Sequence, residues 1–532
     1  MIRKSVAEIL TQHVTFELEA IDRMYLNGYV PSLQSGGGVV YFMKQHLGAR
    51  VPSTTMVAPL SERFVQAIEH FVKAEGLDLV TFEKGQRKDD VAQQYRTSFV
   101  GEEGVLFVGK AQEKASVFRT EKRRNADDGS TYPWIYRSTT PVNHYYFYLL
   151  DRDFGPLFIK FCSYFPYAMK ICLNGHEWLK RQLTQRGIAH EPLDNGIRSS
   201  DEAARVQRMA DTLDAAKIDA VVRKWLRRLP HPFTTAHRAA GYCYQLSILQ
   251  AEFALTQVLD HPRTGRNFFE EVMRENLDLG RPDQIQLVFP RRRAISRRTP
   301  GPFRTRILTD GVLPSLHVDY KKSRVKQYHK ENQALRTETT INNTYDFEIG
   351  RALRNLPALR EIGFAANRRL LRVEYLSHDC LIGDDHLDAL TQPVVVDTQR
   401  AAALRLGDRR VLALMQTLCL FALSPTGFRH RDVRLPIAQF LGRDPDQYAA
   451  GRITYDLRRL RFHGLIERIP QSHRYRLTER GARMAVLYVR VYARGFRPAA
   501  SLPTSGERRG AHTLERLDAA LTRFLQEVRL VA

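Results

Sequence analysis

The stretch that decides the fold of the C-terminal region is TYDLRRLRFHGLIERIPQSHRYRLTERG, residues 454–481. It opens inside a predicted helix, because Ile453, Leu457 and Leu460 recur at helical spacing. Gly464 is the residue type that commonly ends a helix. LIERI and RYRLT then flank the polar tip PQSH, as the two strands of a hairpin do. The stretch therefore predicts a helix followed by a basic two-stranded hairpin.

Helical patterns surround this stretch on both sides. RRVLALMQTLCLFAL (409–423) and HRDVRLPIAQFLG (430–442) precede it, and ERGARMAVLYVRVYARG (479–495) follows it. Three helices and a basic hairpin predict a winged helix-turn-helix at 408–500, whose third helix enters the major groove while the wing contacts the backbone. The predicted nucleic-acid contacts of the third helix and the wing are Arg452, Thr454, Arg458, Arg459, Arg461 and Arg474.

The same segment resembles bacterial winged-helix regulators of the MarR type over residues 408–500. The resemblance implies a DNA-binding fold. Contact with RNA or with a protein is the alternative, and the arginine-rich helix face favours nucleic acid.

The charge of the whole chain supports a polyanionic partner. The 532 residues carry 81 Lys and Arg against 58 Asp and Glu, a net charge of +23. Such a surplus favours nucleic-acid binding, whereas 43% hydrophobic residues exclude a wholly disordered chain. An arginine-rich codon usage is the alternative explanation, since Lys330 is the last lysine. That explanation leaves the shortage of acidic residues unexplained.

The middle of the chain is the most basic part. Residues 281–330 contain thirteen Lys or Arg and three Asp, and RRRAISRR occupies 291–298. Short strand patterns follow this run, which favours a phosphate-binding surface over a solvated loop. The predicted phosphate contacts of this region are Arg291, Arg292, Arg293, Arg297, Arg298, Arg304, Arg306, Lys322 and Arg324.

A hairpin is predicted at 318–342, from HVDYKKSRVKQYHK, the turn ENQA and LRTETTIN. Alternation with period two places Lys326, Tyr328 and Lys330 on the same face as Arg336 and Glu338. The favoured interpretation is a phosphate cradle in which Glu338 orders the cations. The alternative is an enzyme in which Tyr328, with a pKa lowered by the cations, attacks a phosphodiester while Glu338 binds Mg²⁺ or Mn²⁺. No other cofactor or metal is predicted.

KQYHK…LRTET resembles the K-x-Y-x-K…LR-x-E stretch of rolling-circle replication initiators. The resemblance implies a metal-dependent nicking enzyme. The chain lacks the His-hydrophobe-His metal motif of that family. YFPYAMKICLNGHEWLKRQL, SRVKQYHKENQALRTETTINN and LPALREIGFAANRRLL resemble a family of large uncharacterised bacterial proteins found among mobile elements. That resemblance covers most of the chain and implies no particular activity.

The remaining patterns predict a multidomain α+β protein. The predicted regions are a mixed α/β domain at 1–195, a helical region at 196–280, a basic β-rich region at 281–378, a linker at 379–407, the winged helix at 408–500 and a C-terminal helix at 501–532. AGYCYQLSILQAEFALTQVLD (240–260) is predicted to be a long helix. Leucines and other apolar residues at 514–528 predict a helix that pairs two chains or packs on its own domain.

Three further predictions concern location, partners and the aromatic residues. Five scattered cysteines and the lack of a long apolar run predict a cytoplasmic protein without a membrane contact. DNA is favoured as the partner and structured RNA is the alternative. Aromatic side chains of the N-terminal domain are predicted to be core residues and not base-stacking platforms; they are Trp134, Tyr136, Tyr145, Tyr146, Tyr164 and Tyr167.

Overall fold

The structure of the protein is a computed structural model. The described residues are 6–83, 85–127, 129–276, 284–288, 303–310, 313–331, 333–376, 390–396, 398–405, 408–421, 426–444 and 448–492. The fold is mixed α+β, as the sequence predicts, and the chain divides into two compact units. The sheet unit comprises Thr15–Leu259 and Asp319–Phe364. The terminal unit comprises the described residues within Met1–Val14, Asp260–Val318 and Ala365–Ala532.

The described chain contains runs of helices and runs of strands. The helices are α1 (Val6–Gln12), α2 (Gly36–Leu47), α3 (Ala58–Ala74), α4 (Lys88–Ser98), α5 (Gly175–Gln185), α6 (Ala203–Asp211), α7 (Ala215–Arg228), α8 (Thr235–Ala239), α9 (Pro262–Asn276), α10 (Leu356–Leu376), α11 (Arg409–Phe421), α12 (His430–Phe440), α13 (Ala450–Phe462) and α14 (Glu479–Val491). The strands are β1 (Val14–Tyr29), β2 (Leu79–Thr81), β3 (Gly104–Arg124), β4 (Thr131–Asp151), β5 (Gly155–Cys162), β6 (Met169–Asn174), β7 (Glu191–Leu193), β8 (Gly196–Ser199), β9 (Gln245–Leu259), β10 (Gln284–Val288), β11 (Phe303–Asp310), β12 (Leu313–Tyr320), β13 (Ser323–Lys330), β14 (Ala334–Ile341), β15 (Val394–Val396), β16 (Gln399–Ala401), β17 (Phe428–Arg429), β18 (Ile466–Arg468) and β19 (Arg474–Leu477).

The sheet unit is organised by one large sheet. Its strands follow the order β13-β14-β9-β1-β6-β5-β4-β3-β2. β14 is antiparallel to β13 and β9, β6 is antiparallel to β1 and β5, and β4 is antiparallel to β5 and β3. Among the described strand pairs of the sheet unit, the short β2 runs parallel to its neighbour β3. Strands far apart in sequence, such as β1, β9 and β14, are therefore neighbours in the centre of the sheet.

The prediction of a long helix at 240–260 is wrong. Residues Gln245–Leu259 form β9, a central strand between β14 and β1. Phe253, Ala254 and Leu255 are consecutive and all buried. A central strand that is covered on both faces has no period-two alternation, so its sequence looks like that of a buried helix.

Helices cover one face of this sheet with a continuous apolar core. Phe42 of α2, Phe64 of α3, Trp178 of α5 and Trp225 of α7 all belong to one cluster that also includes Ile159 of β5. The rings of Phe42 and Phe64 are fully or almost fully buried. Packing of this core fixes the positions and directions of the central strands, and these strands carry residues of the candidate site.

The C-terminal part of the terminal unit contains the predicted elements. α11, α12 and α13 are followed by β18, β19 and α14, and β17 adds a third strand in the order β17-β19-β18. Ile453, Leu457 and Leu460 of α13 are buried in a separate apolar cluster, as their spacing predicts. The helix–helix–helix–hairpin order is therefore present in the described residues.

Several predictions lie outside the described residues. They concern the arginine run at 291–298, residues 379–389 of the linker predicted at 379–407, and the C-terminal helix at 501–532. Across the helices that are described, none is long and apolar enough to cross a membrane.

Candidate functional site

The predicted hairpin forms, and Lys326, Tyr328, Arg336 and Glu338 lie on one face of it, as their alternation predicts. Tyr328 of β13 pairs with Arg336 of β14, and Lys326 pairs with Glu338. These four side chains consequently share one face, since directly opposed residues of an antiparallel pair point the same way. That face is only partly open to solvent: Arg336 is 0% exposed, the side chain of Glu338 is 12% exposed, and Lys326 and Tyr328 are half-buried.

Two carboxylates that sequence analysis missed join Glu338. Asp22 lies on β1 and Glu252 on β9, so the three acidic residues come from neighbouring strands at the centre of the sheet. One oxygen of each carboxylate lies within 4.8 Å of the corresponding oxygens of the other two. This spacing suits a divalent cation, because hard cations prefer several carboxylate oxygens at short range.

The proximity of the carboxylates changes their protonation. Burial, together with the charges of Glu338 and Asp22, raises the pKa of Glu252 to about 7. Burial and the charge of Asp22 also raise the pKa of Glu338. Both shifts reflect the cost of holding several negative charges in one poorly solvated place. A bound cation would remove this cost.

Arg336 is the fixed cation of the site. Its Nη2 donates to Asp22 Oδ2 at 2.6 Å, and its Nη1 donates to the backbone oxygen of Asn195 at 2.5 Å. Asn195 also donates through Nδ2 to Asp22 Oδ1 at 2.7 Å. Burial alone would raise the pKa of Asp22, but the charge of Arg336, the hydrogen bond from Asn195 and other nearby positive groups together outweigh burial and hold that pKa below its ordinary value. Asp22 is therefore the carboxylate of the cluster that stays ionised.

His176 is held neutral beside this ion pair. Asn174 caps α5 by accepting from the backbone N–H of His176 at 2.8 Å, which fixes the ring against Arg336. Burial and the charge of Arg336 lower the pKa of His176 to about 3. A guanidinium has only donors, so His176 Nε2 accepts from Arg336 Nη2 at 2.7 Å and the ring proton lies on Nδ1.

Tyr328 does not have the lowered pKa that the nucleophile hypothesis expects. Its hydroxyl donates to Glu338 Oε2 at 3.2 Å, and Lys326 Nζ lies 4.0 Å from the centre of its ring. Burial, and then the negative charge of Glu338, raise the pKa of Tyr328. The expectation of a tyrosine activated by the flanking lysines is therefore wrong, because burial and Glu338 outweigh the cations.

Two arginines predicted to contact nucleic acid are buried. Arg336 is enclosed as described above. Arg459 of α13 is also buried, and it donates to the backbone oxygens of Ala402 and Ala403. Both predictions of a solvent-facing contact are wrong, because the guanidinium of each residue donates to acceptors inside the protein.

The other predicted contact residues have different surroundings. Lys330 is 14% exposed and lies 3.5 Å from Glu331, whereas Arg324 is exposed and paired with Asp319 at 2.7 Å. The exposed side chains among the remaining residues are Lys322, Arg452, Thr454, Arg458 and Arg461. Arg474 is half-buried and donates to Thr426. Arg304 and Arg306 are described only as backbone of β11, and Arg291, Arg292, Arg293, Arg297 and Arg298 lie outside the described residues.

A second surface was missed by sequence analysis. β3 and β4 pair as far as Arg124 and Thr131, well beyond the last β4–β5 pair, so their far end is a two-stranded ribbon. Trp134, predicted to be a core residue, is 42% exposed there, and the guanidinium carbon of Arg123 lies 4.7 Å from its ring centre. Lys122 and Arg124 are exposed beside it. The ribbon therefore presents an aromatic ring among cations.

The buried ion pair leads to a stability prediction. Asp22→Asn should lower the free energy of unfolding by about 3–5 kcal/mol, because it leaves the guanidinium of Arg336 buried without a carboxylate. The matched control is Asp211→Asn, which removes the partner of Arg360 in a half-exposed pair and should cost at most about 1 kcal/mol. Urea unfolding at pH 7 measures both, and equal losses would contradict the assignment.

The same pair predicts a pH dependence. The pKa of Asp22 is lower in the folded chain than its ordinary value of 3.8. Its ionisation therefore stabilises the fold above pH 3.8, and this contribution disappears as the pH falls below that value. The difference in unfolding free energy between the natural chain and Asp22→Asn should accordingly shrink below pH 4.

Comparisons with known proteins identify no relative that could supply a function for this site. No family model matches the chain, no curated protein matches it, and no solved structure matches it. The function has to be argued from the geometry.

Proposed function

We propose that this chain binds nucleic acid and hydrolyses phosphodiester bonds with a divalent cation, Mg²⁺ or Mn²⁺, held by Asp22, Glu252 and Glu338. The observation that carries the proposal is the convergence of these three carboxylates, from three neighbouring strands, to within 4.8 Å of one another. A cluster of this kind costs folding energy unless something positive neutralises it.

Arg336 neutralises only part of the cluster. Its Nε lies 3.7 Å from Glu338 Oε2, beyond hydrogen-bonding reach, and this buried atom has no hydrogen-bond partner among the described residues. Burial raises the pKa values of Glu252 and Glu338, and the charges of the neighbouring carboxylates raise them further. A divalent cation would allow both carboxylates to ionise and would offset the free-energy cost of burying them.

The proposed reaction needs water as its only other reactant. A divalent cation held by Asp22, Glu252 and Glu338 would polarise a phosphoryl oxygen and favour ionisation of a water molecule. In the balanced reaction, water adds to phosphorus and loses a proton to solvent, while the bond from phosphorus to the leaving sugar oxygen breaks and this oxygen takes up a proton. Lys326, paired with Glu338 across the hairpin, can stabilise the negative charge that develops on the phosphoryl group. Tyr328 orients Glu338 through its hydrogen bond.

The substrate class rests on charge. The net charge of +23 favours a polyanion, and Arg452, Arg458 and Arg461 are exposed on α13, away from its buried apolar residues. We infer that α11–α14 with β18 and β19 act as a winged helix, with α13 as the helix that contacts DNA. The MarR-type resemblance and the exposed arginines support this inference. The ribbon formed by β3 and β4 supplies a second contact, where Trp134 can stack on an unpaired base.

Metal binding is the first consequence to test. Mn²⁺ should bind with an affinity that rises about tenfold per pH unit up to pH 7 and then levels off, because Glu252 must lose its proton at a pKa of about 7. Calorimetric titration and thermal unfolding at several pH values measure this. Glu252→Gln should remove both the binding and its pH dependence.

The control for metal binding is Glu361→Gln, which changes an exposed carboxyl of α10. It should leave the Mn²⁺ affinity unchanged. Equal affinities for the natural chain and Glu252→Gln, or an affinity independent of pH between 5 and 7, would show that the cluster is not a cation site.

Cleavage is the second consequence. Glu338→Gln should reduce Mn²⁺-dependent cleavage of labelled DNA at least a hundredfold, since an amide is a poor ligand for a hard cation. Tyr328→Phe removes one hydrogen bond to Glu338 and should reduce cleavage by about tenfold or less, without abolishing it. Denaturing gels of single-stranded and duplex DNA measure the products.

The gels also separate two chemistries. Hydrolysis leaves no protein attached to the DNA. A covalent adduct that disappears in Tyr328→Phe would instead establish the tyrosine-nucleophile route. Absence of any product with Mg²⁺ or Mn²⁺ would refute the catalytic part of the proposal and leave a binding protein.

Nucleic-acid binding is tested on the full chain. Arg458→Gln should weaken DNA binding and reduce the slope of log affinity against log salt by about 1 if it neutralises one phosphate, or relax base preference if it contacts a base. Arg208→Gln on α6, also exposed, is the matched control. Fluorescence anisotropy at several salt concentrations measures the binding of both variants. Salt slopes and base preferences of Arg458→Gln that equal those of the natural chain would contradict the role of α13.

A further inference from the structure

A basic pocket in the sheet unit is separate from the residues of the carboxylate cluster. It lies at the end of α7, the loop that follows and the segment leading into β9, and its volume is about 480 Å³. Such a volume is typical of sites for small organic ligands. Its polar and aromatic lining residues are Arg223, Arg227, His231, Arg238, Cys243 and Tyr244.

Three guanidiniums line this pocket, and no acidic residue does. Arg223 is paired with Asp219 at 2.5 Å on the same helix. Arg238 donates to the backbone oxygen of Phe233 at 2.9 Å, which fixes its position. Arg227, by contrast, is exposed and has no ion-pair partner in the part of the chain that the structure describes. The pocket therefore carries positive charge that the protein itself leaves largely uncompensated.

His231 is a neutral side chain of the lining. Its Nδ1 lies 3.0 Å from the backbone oxygen and 3.1 Å from the backbone nitrogen of Phe233, which hold the ring in place. Burial and the charge of Arg238 lower the pKa of His231 to about 4. The ring is thus neutral near pH 7 and adds no charge repulsion among the arginines.

The rest of the wall is apolar or aromatic. Tyr244 donates its hydroxyl to the backbone oxygen of Tyr167 at 2.7 Å, so that the hydroxyl is already engaged. Leu226 and Leu229 complete the lining. One part of the pocket can thus bind an anion while another part contacts a flat, weakly polar group.

We propose that this pocket binds a phosphate monoester of nucleotide size, with Arg227 and Arg238 contacting the phosphate. Guanidinium groups match phosphate oxygens in bidentate geometry, and several of them together discriminate a dianion from chloride. This site lies beyond the proposed hydrolytic function and uses none of its residues. A terminal phosphate on a nucleic acid is also a phosphate monoester, so the test includes an oligonucleotide that carries one.

The test is calorimetric titration of the full chain with adenosine monophosphate and with inorganic phosphate at constant ionic strength. The natural chain should bind adenosine monophosphate more tightly than inorganic phosphate, and Arg227→Gln should weaken both at least tenfold, because a charge-assisted contact is lost. Arg208→Gln is the control and should bind as the natural chain does. No heat of binding at millimolar ligand, or equal affinities in Arg227→Gln and the natural chain, would overturn the proposal.

Two oligonucleotides identify the source of the phosphate. One carries a 5′-phosphate and the other ends in a hydroxyl. If Arg227→Gln weakens only the phosphorylated one, the pocket binds a terminal monoester, and the proposal stands. If it weakens both equally, the pocket binds the phosphodiester backbone and the monoester proposal is wrong.

Cys243 provides a measurement that needs no variant. It is the exposed free cysteine of the described residues and it lines the pocket. Adenosine monophosphate should slow its alkylation by iodoacetamide at least severalfold, as followed by peptide mass spectrometry, whereas adenosine should not. Unchanged alkylation at high nucleotide concentration would refute occupancy of the pocket. Glu338→Gln should show the same protection, which keeps this test independent of the proposed cleavage.

Discussion

The burial of one guanidinium organises the centre of the sheet unit. Arg336 is 0% exposed, and an arginine keeps its proton in a protein interior, so the surrounding chain must supply acceptors. It obtains them from Asp22, the backbone of Asn195 and the ring of His176. These partners are more than a hundred residues away in sequence, and each belongs to a different element. The position of Arg336 on β14 consequently fixes how β1, α5 and the β7–β8 turn approach one another.

That arrangement makes the three carboxylates unequal. Asp22 is ionised because Arg336 and Asn195 stabilise its charge, whereas Glu252 and Glu338 lie near the ion pair without an equally strong partner. A purely structural salt bridge needs one carboxylate for one guanidinium. Here the protein places two additional carboxyl groups in the same half-buried space, and their burial destabilises the fold unless a positive charge compensates it. The bound cation that we propose would supply this compensation through the carboxylate oxygens.

The sequence predicted the local features of this site and missed the distant ones. Period-two alternation was enough to place Lys326, Tyr328, Arg336 and Glu338 on one face, whereas the pairing of Tyr328 with Arg336 and of Lys326 with Glu338 came from the structure. Glu252 was missed because β9 is covered on both faces and its pattern resembles a helix. Asp22 is one of three acidic residues in a long strand, and nothing local links it to a residue more than three hundred positions later. The exposure of Arg336 and Arg459 was predicted wrongly for the same reason, since the acceptors that enclose them come from distant segments.

The arginines of this chain thus serve two physical purposes that their sequence context alone does not separate. Arg336, Arg459 and Arg410 are matched to internal acceptors, and Arg410 pairs with the fully buried Asp456 at 2.9 Å. Such pairs neutralise charge inside the protein and contribute little to its external field. The exposed arginines of α13 and the exposed cations of the ribbon remain to generate that field. Because an acidic partner on the surface would cancel that field, the small number of acidic residues relative to arginine and lysine preserves the positive potential of these surfaces.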